Sequence, residues 1–206
     1  MKVDVIDIGF GNIGSVRHWL ESARIEARVV NDARQPRAPV MILPGVGSAG
    51  PYLDALRSKR FDDAIGQHLE DGGRLVGICL GFQVMAEHCA EDGGHEGLGL
   101  VRGEVSRLDG VFSHNGWLPI TLRRQDVRAS CPDEPARLTR KRVIRGRVFY
   151  NHEYGFVAND ESAYTQSIGE GLSRYSSIIV KPQLVGMQFH PEKSQGTGVE
   201  LIRMIC

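Results

Sequence analysis

The sequence has no C-x-x-C pair and no histidine–cysteine cluster at zinc spacing; its four cysteines, Cys79, Cys89, Cys131 and Cys206, are scattered over 206 residues. That pattern excludes a secreted disulfide framework and suggests no metal site. No apolar run approaches the roughly 20 residues needed to span a bilayer. Charge interrupts the first apolar stretch, Met1-Lys2-Val3-Asp4-Val5, which reads as a strand rather than a signal peptide. Net charge is lacking too: 25 basic residues balance 25 acidic ones, so no whole-molecule field draws the chain to nucleic acid or anionic lipid. Lysine is scarce, 5 against 20 arginines. The expectation is a cytoplasmic protein with no metal, no organic cofactor, no nucleic-acid partner and no membrane.

With 41% hydrophobic and 24% charged residues, the chain is neither disordered nor a coiled coil. Its length suits one domain, read as residues 1–206. The first half alternates short apolar strands (Val3 to Ile8, Ala27 to Val30, Val40 to Leu43, Leu75 to Ile78) with helical stretches at Ile13 to Ala23, Tyr52 to Glu70 and about Phe82 to His88. This rhythm predicts βαβ units and a parallel sheet covered on both faces, with functional loops at the carboxyl ends of the strands. The second half turns to period-two segments, Gly103 to Leu108 and Arg142 to Tyr150. A hairpin over Ser176 to Phe189 and a closing helix over Gly198 to Ile205 follow. Residues 129–141 read as an exposed loop.

The stretch that carries chemistry is Gly77-Ile78-Cys79-Leu80-Gly81. A G-x-C-x-G between a strand and a helix forms a sharp turn that lifts its central residue to the top of the sheet. A following helix N-terminus would favour the thiolate. The bland reading is a buried cysteine beside a glycine turn. A cysteine nucleophile needs a base and a group to orient it, and Phe189-His190-Pro191-Glu192 supplies both near a strand end.

Together the two stretches resemble class I, triad-type glutamine amidotransferases. The resemblance extends to Asp7-Ile8-Gly9-Phe10-Gly11-Asn12, Leu43-Pro44-Gly45-Val46-Gly47-Ser48, Gly97-Leu98-Gly99-Leu100 and Gln188-Phe189-His190-Pro191-Glu192-Lys193-Ser194. It implies an α/β three-layer fold: a mixed, mostly parallel central sheet flanked by helices, with an antiparallel region from the second half. It also implies hydrolysis of L-glutamine by Cys79, His190 and Glu192. The oxyanion hole would come from Gly45, Val46, Gly47 and Leu80, and substrate contacts from Gln83, His152, Glu153 and Tyr154. Asn12, Trp117, Tyr150 and Lys193 would face a (β/α)8-barrel partner subunit that receives the ammonia and forms a heterodimer with this chain. The chain length suits a stand-alone glutaminase subunit.

Two segments depart from the family pattern. His114-Asn115-Gly116-Trp117-Leu118 stands where His-Met-Gly-Trp-Asn is expected, and Tyr150-Asn151-His152-Glu153-Tyr154 where Phe-Val-His-Ser-Tyr is expected. A carboxylate at Glu153 would repel the substrate's own carboxylate unless it points away. The acceptor of ammonia therefore stays open between the phosphorylated ribulosyl intermediate of histidine biosynthesis and a sugar in surface-polysaccharide synthesis. An idle scaffold subunit, or a hydrolase of a different amide, would also be compatible with these residues. The basic stretch Arg137 to Arg147 reads as the solvated face of a strand, with a phosphate or RNA site as the sharper reading. His88, Cys89 and His95 read as helix-end and loop residues. Gly9-x-Gly11-x-x-Gly14 is a formal dinucleotide fingerprint without its acidic partner.

Overall fold

Four parallel strands build the centre of the molecule, and their neighbouring residues point to opposite faces. The computed structural model describes residues 1–36, 38–126, 143–169 and 171–205. Strands β1 (Lys2–Ile6), β2 (Glu26–Val30), β3 (Val40–Gly45) and β4 (Arg74–Cys79) pair in parallel, in the spatial order β4-β3-β1-β2. Later strands extend the other edge: β13 (Leu184–Met187) pairs parallel to β4, and β12 (Ser176–Lys181) and β11 (Tyr164–Ser167) continue antiparallel. The expected hairpin is thus present, turning at Pro182 and Gln183.

Val40, Ile42, Val76 and Ile78 face α1 (Ile13–Ser22) and α5 (Gln195–Ile205). Met41, Leu43 and Leu75 face α2 (Ala49–Ser58) and α3 (Phe61–Glu70). Both faces being dry explains why these strands read as continuous apolar runs. At the β1–β2 edge, fully buried Asp4 accepts a two-toothed hydrogen bond from Arg28 (2.7 and 2.8 Å) and a third from Ala38 N–H (2.8 Å).

Two helices differ from the sequence expectation. The stretch from Tyr52 to Glu70 is two helices, broken at Arg60, which adopts left-handed φ 59° and lets Phe61 and Ile65 turn into the core. The helix expected from Phe82 to His88 is a single turn, α4 (Leu80–Gln83). Beyond it, the carbonyls of Val84, Met85 and Ala86 accept from Leu98, Leu100 and Gly99, so the helical ladder stops. His88 instead enters β5 (His88–Cys89), which pairs with β6 (His95–Glu96) and β7 (Gly103–Arg107); β7 pairs with β10 (Tyr154–Ala158). A long two-stranded ribbon, β8 (His114–Arg123) with β9 (Val143–His152), lies on the α1–α5 side. The expected loop at 129–141 and most of the basic stretch lie outside the described residues.

Candidate active site

β4 ends at Cys79, whose backbone is bent to φ 52°, ψ −111°. Such a conformation in a residue with a Cβ costs about 1–3 kcal/mol and persists only where its surroundings enforce it. Here the enforcement is close backbone contact. A Cβ on Gly81 would lie 1.9 Å from Leu43 O, and one on Gly77 would lie 2.8 Å from Gly81 O. Gly45 sits beside Cys79 in the β3–β4 register, and its Cβ would meet Gly81 N at 2.5 Å. Glycine is needed at all three positions for the turn to close. Since α4 is one turn long, its dipole is small, and the expected thiolate stabilisation by a helix N-terminus is weak. Charge partners must supply it.

His190 is that partner. The chain leaving β13 brings it over the end of the sheet, where its N–H donates to Phe149 O (2.7 Å). Its Nδ1 lies 2.8 Å from Glu192 Oε1, with the two side chains only 4% and 2% exposed. Glu192 accepts, so Nδ1 carries the hydrogen and Nε2 is left for Cys79. Burial opposes the charged ring, but the Cys79 sulfur and the Glu192 carboxylate outweigh it and push His190 up to about 10. Ser194 Oγ braces the turn, donating to His190 O (2.6 Å) and accepting from Phe149 N–H (3.1 Å).

A cavity of about 400 Å³ opens over Cys79 and His190, lined among others by Gln83, Glu91, His152, Glu153 and Tyr154. Gln83 Nε2 donates to Tyr154 O (2.7 Å) and to Gln188 Oε1 (3.1 Å). With both amide hydrogens committed, Gln83 has only Oε1 to offer a ligand. His152 Nδ1 donates to the same Tyr154 carbonyl (2.7 Å), and its Nε2 lies 3.2 Å from His114 Nδ1. Burial pushes His152 down to about 4, with His114 and His190 acting the same way against the Tyr154 hydrogen bond. Glu153 stands at the rim, half exposed, with Oε2 3.7 Å from Arg107.

Glu91 was not singled out from the sequence. Its Oε2 accepts Ala49 N–H at 2.8 Å, and neighbouring Asp92 accepts Gly50 N–H at 3.1 Å, so this pair caps the start of α2. Burial pushes the Glu91 carboxyl up against the Ala49 hydrogen bond, and Asp92 and Glu153 push it the same way. The sequence signal was the acidic pair just before Gly93-Gly94.

The expected oxyanion residues border the site, but one is turned. Gly45 and Leu80 flank Cys79, and Val46 and Gly47 line the cavity. Val46 N–H, however, donates to Phe10 O at 2.8 Å and is not aimed at the sulfur. Tyr52 OH, donating to Pro44 O (2.8 Å), holds the same segment from inside. Of the expected partner-facing residues, Asn12 and Lys193 are exposed, and the Trp117 ring is half-buried beside Phe149. Tyr150 is corrected: it is 1% exposed, with its hydroxyl 2.6 Å from Ser177 Oγ and its ring stacked on His114. On β9 it shares the inward face with Ile144 and Val148, so alternation sends it into the core. Cys89 is buried, its thiol pushed up to about 12 by burial and then by Glu91. It pairs with His95 across β5–β6, and no group of three or more metal-ligating side chains occurs among the described residues.

Comparison with known proteins places the chain in a family. The model for glutamine amidotransferase class-I matches residues 4–204. The chain is 35% identical over 211 residues to the imidazole glycerol phosphate synthase subunit HisH of Aquifex aeolicus, covering 98% of this chain and 94% of that protein. It is 32% identical over 204 residues to the protein of the same description from Oceanobacillus iheyensis, covering 98% and 96%. In fold it is similar to a solved glutamine amidotransferase (TM-score 0.72, 17% identity, 98% and 97% covered). PurLQS from Thermotoga maritima is a second match (TM-score 0.71, 17% identity, 99% and 97% covered). On the matched length and the full-length relatives, the chain belongs to the class I glutamine amidotransferase family.

Proposed function

We propose that residues 1–206 form one glutaminase domain, the ammonia-producing subunit of an imidazole glycerol phosphate synthase of histidine biosynthesis, working in the cytoplasm. The observation that carries the chemistry is the meeting of Cys79 and His190 at one cavity, with Glu192 bonded to His190 Nδ1 behind them. His190 takes the Cys79 proton, and the sulfur attacks the carboxamide carbon of glutamine. The C–N bond then breaks, with His190 giving its proton to the departing nitrogen, and ammonia leaves a thioester. Water, deprotonated by His190, attacks the thioester and releases glutamate and the thiol. Glu192 keeps the ring in register throughout. Gln83 Oε1 and Glu91 suit the substrate's α-ammonium, because both present acceptors to the cavity.

The acceptor assignment rests on the relatives, whose shared description favours the histidine pathway over sugar amidation. Ammonia passes to a (β/α)8-barrel cyclase, the partner in a heterodimer. Exposed Val46 and Lys193 on the cavity lining, with exposed Phe112 next to the lining residue Ser113, suit a docked protein, as Asn12 and Trp117 would. The turned Val46 N–H supports low activity in the isolated chain, since one oxyanion donor is occupied by Phe10 O.

The test is a glutaminase assay on the chain mixed with the cyclase subunit and its phosphorylated ribulosyl substrate. Strong stimulation by both, lost in Cys79→Ala while ammonia-dependent synthesis persists, is the expected result. No stimulation, with glutamine still protecting Cys79 from alkylation, would move the acceptor to a sugar. No protection would remove glutamine as the substrate.

A further inference from the structure

We propose that Gln188 is a positioning residue for the reaction, setting both the Cys79 sulfur and the amide of Gln83. This rests on the glutaminase reading above and adds a residue to it.

The placement follows from strand alternation. Gly186, Gln188 and His190 succeed one another at two-residue spacing on the chain that runs out of β13. Gly186 leaves room for Phe82, whose ring would lie 2.0 Å from a Cβ there. That contact seats α4 against β13 and brings Gln83 onto Gln188. His190, two residues on, reaches the nucleophile. Gln188, between them, is 0% exposed.

The orientation of its amide is dictated by its neighbours. Tyr154 O is a pure acceptor, so the group 2.7 Å from it is Gln83 Nε2. The same Nε2 lies 3.1 Å from Gln188, which must present Oε1 to it. Gln188 Nε2 is thereby turned to Cys79 Sγ, at 3.9 Å. On another side of the sulfur stands Asn151 O, at 4.0 Å. One donor and one acceptor thus bracket the thiol. A buried amide costs free energy unless it is hydrogen-bonded, and an apolar side chain of similar volume would fill this place without that cost. What the amide supplies is direction. It fixes Gln83 with Oε1 as its only free group, and it gives the sulfur a donor that favours the thiolate.

Two variants of the full-length chain test this. Gln188→Glu keeps the shape and the acceptor towards Gln83 but sets an oxygen against the sulfur. Gln188→Leu removes both roles. The first readout is the rate of Cys79 alkylation by iodoacetamide as a function of pH, quantified on the Cys79 peptide. It needs neither glutamine nor a partner, so it stands if the glutaminase reading fails. The second is glutaminase kcat and KM in the complex with the barrel subunit. Gln188→Glu is expected to raise the midpoint of thiol reactivity by about one pH unit or more, with kcat down about tenfold and KM little changed. Gln188→Leu is expected to raise KM at least about fivefold as well, because Gln83 is no longer fixed. Folded variants whose alkylation midpoint and KM both match the parent would overturn the proposal and leave Gln188 as a core residue. If Gln188→Glu does not fold, neutral Gln188→Met carries the same readout: an upward shift supports the role, and an unshifted midpoint refutes it.

Discussion

Gly81→Ala offers the sharpest check on how Cys79 is held. The added Cβ would sit 1.9 Å from Leu43 O and 2.8 Å from Leu43 C. Ordinary contact begins near 3.4 Å, so β3 and α4 must part by roughly 1.5 Å. Both sides of the clash are buried backbone, so no side chain can rotate away. Overpacking of this kind costs about 1–3 kcal/mol, and the rigid surroundings place this case at about 3. For a chain of this size that lowers Tm by about 6–12 °C. Activity should fall further than stability, because the displaced end of β3 carries Gly45 away from Cys79, and a misplacement of about 1 Å can cost about a hundredfold. The matched control is Gly66→Ala on α3, where nothing lies within 4 Å of the new methyl group. It should stabilise by about 0.5–1 kcal/mol. Thermal and urea unfolding of both variants, with glutaminase activity in the partner complex, give the answer. A Gly81→Ala protein within about 2 °C of the parent in Tm and equally active would refute the close-contact account.

Three further outcomes are expected. Asp4→Ala should destabilise by about 1–3 kcal/mol in urea unfolding, because Ala38 N–H loses its buried acceptor while the partly exposed Arg28 keeps water and Gln35 O as partners. Glu153→Ser should change stability by less than about 0.5 kcal/mol, its pairing with Arg107 being half exposed, and should lower KM for glutamine about two- to fivefold by removing a negative charge from the cavity rim; an unchanged KM would show that Glu153 stays turned to Arg107. His152, held down to about 4 in the folded chain, takes up a proton more readily when unfolded, at its ordinary value near 6.5. Its contribution is therefore complete above about pH 6.5 and is lost as pH falls towards 4, about 2 kcal/mol of it by pH 5. The parent should lose that much more stability than His152→Gln between pH 7.5 and 5, and parallel slopes would contradict it.

The sheet and the residues that meet at Cys79 were legible in the sequence because each leaves a local trace. Apolar runs such as Val40-Met41-Ile42-Leu43 mark strands buried on both faces, and Gly77, Cys79 and Gly81 mark a turn that only small residues permit. What escaped depends on distant partners. Val84 to Ala86 are as apolar as a helix requires, yet their carbonyls are claimed by residues 98–100. Tyr150 looked like a surface aromatic until the β9 register turned it inward onto Ser177. The direction of the Val46 peptide has no signature in residue type at all, being set by Phe10 O across a loop. Gln188 was visible as part of a motif, but its role depends on Tyr154 O fixing the chain of amides.

Phe149 has a mechanical consequence. Its carbonyl holds His190 N–H, its own N–H is held by Ser194 Oγ, and its ring lies under Lys193 Nζ (5.3 Å) and beside Trp117 (5.6 Å). The ribbon that carries it has two strands among the described residues and packs one face, including Ile120, Ile144 and Val148, on the core. Twisting it rotates the peptide plane to which His190 is tied. The ribbon thus ties the Trp117 surface to the His190 imidazole through a single residue, so a shift of that edge would turn the ring against Cys79.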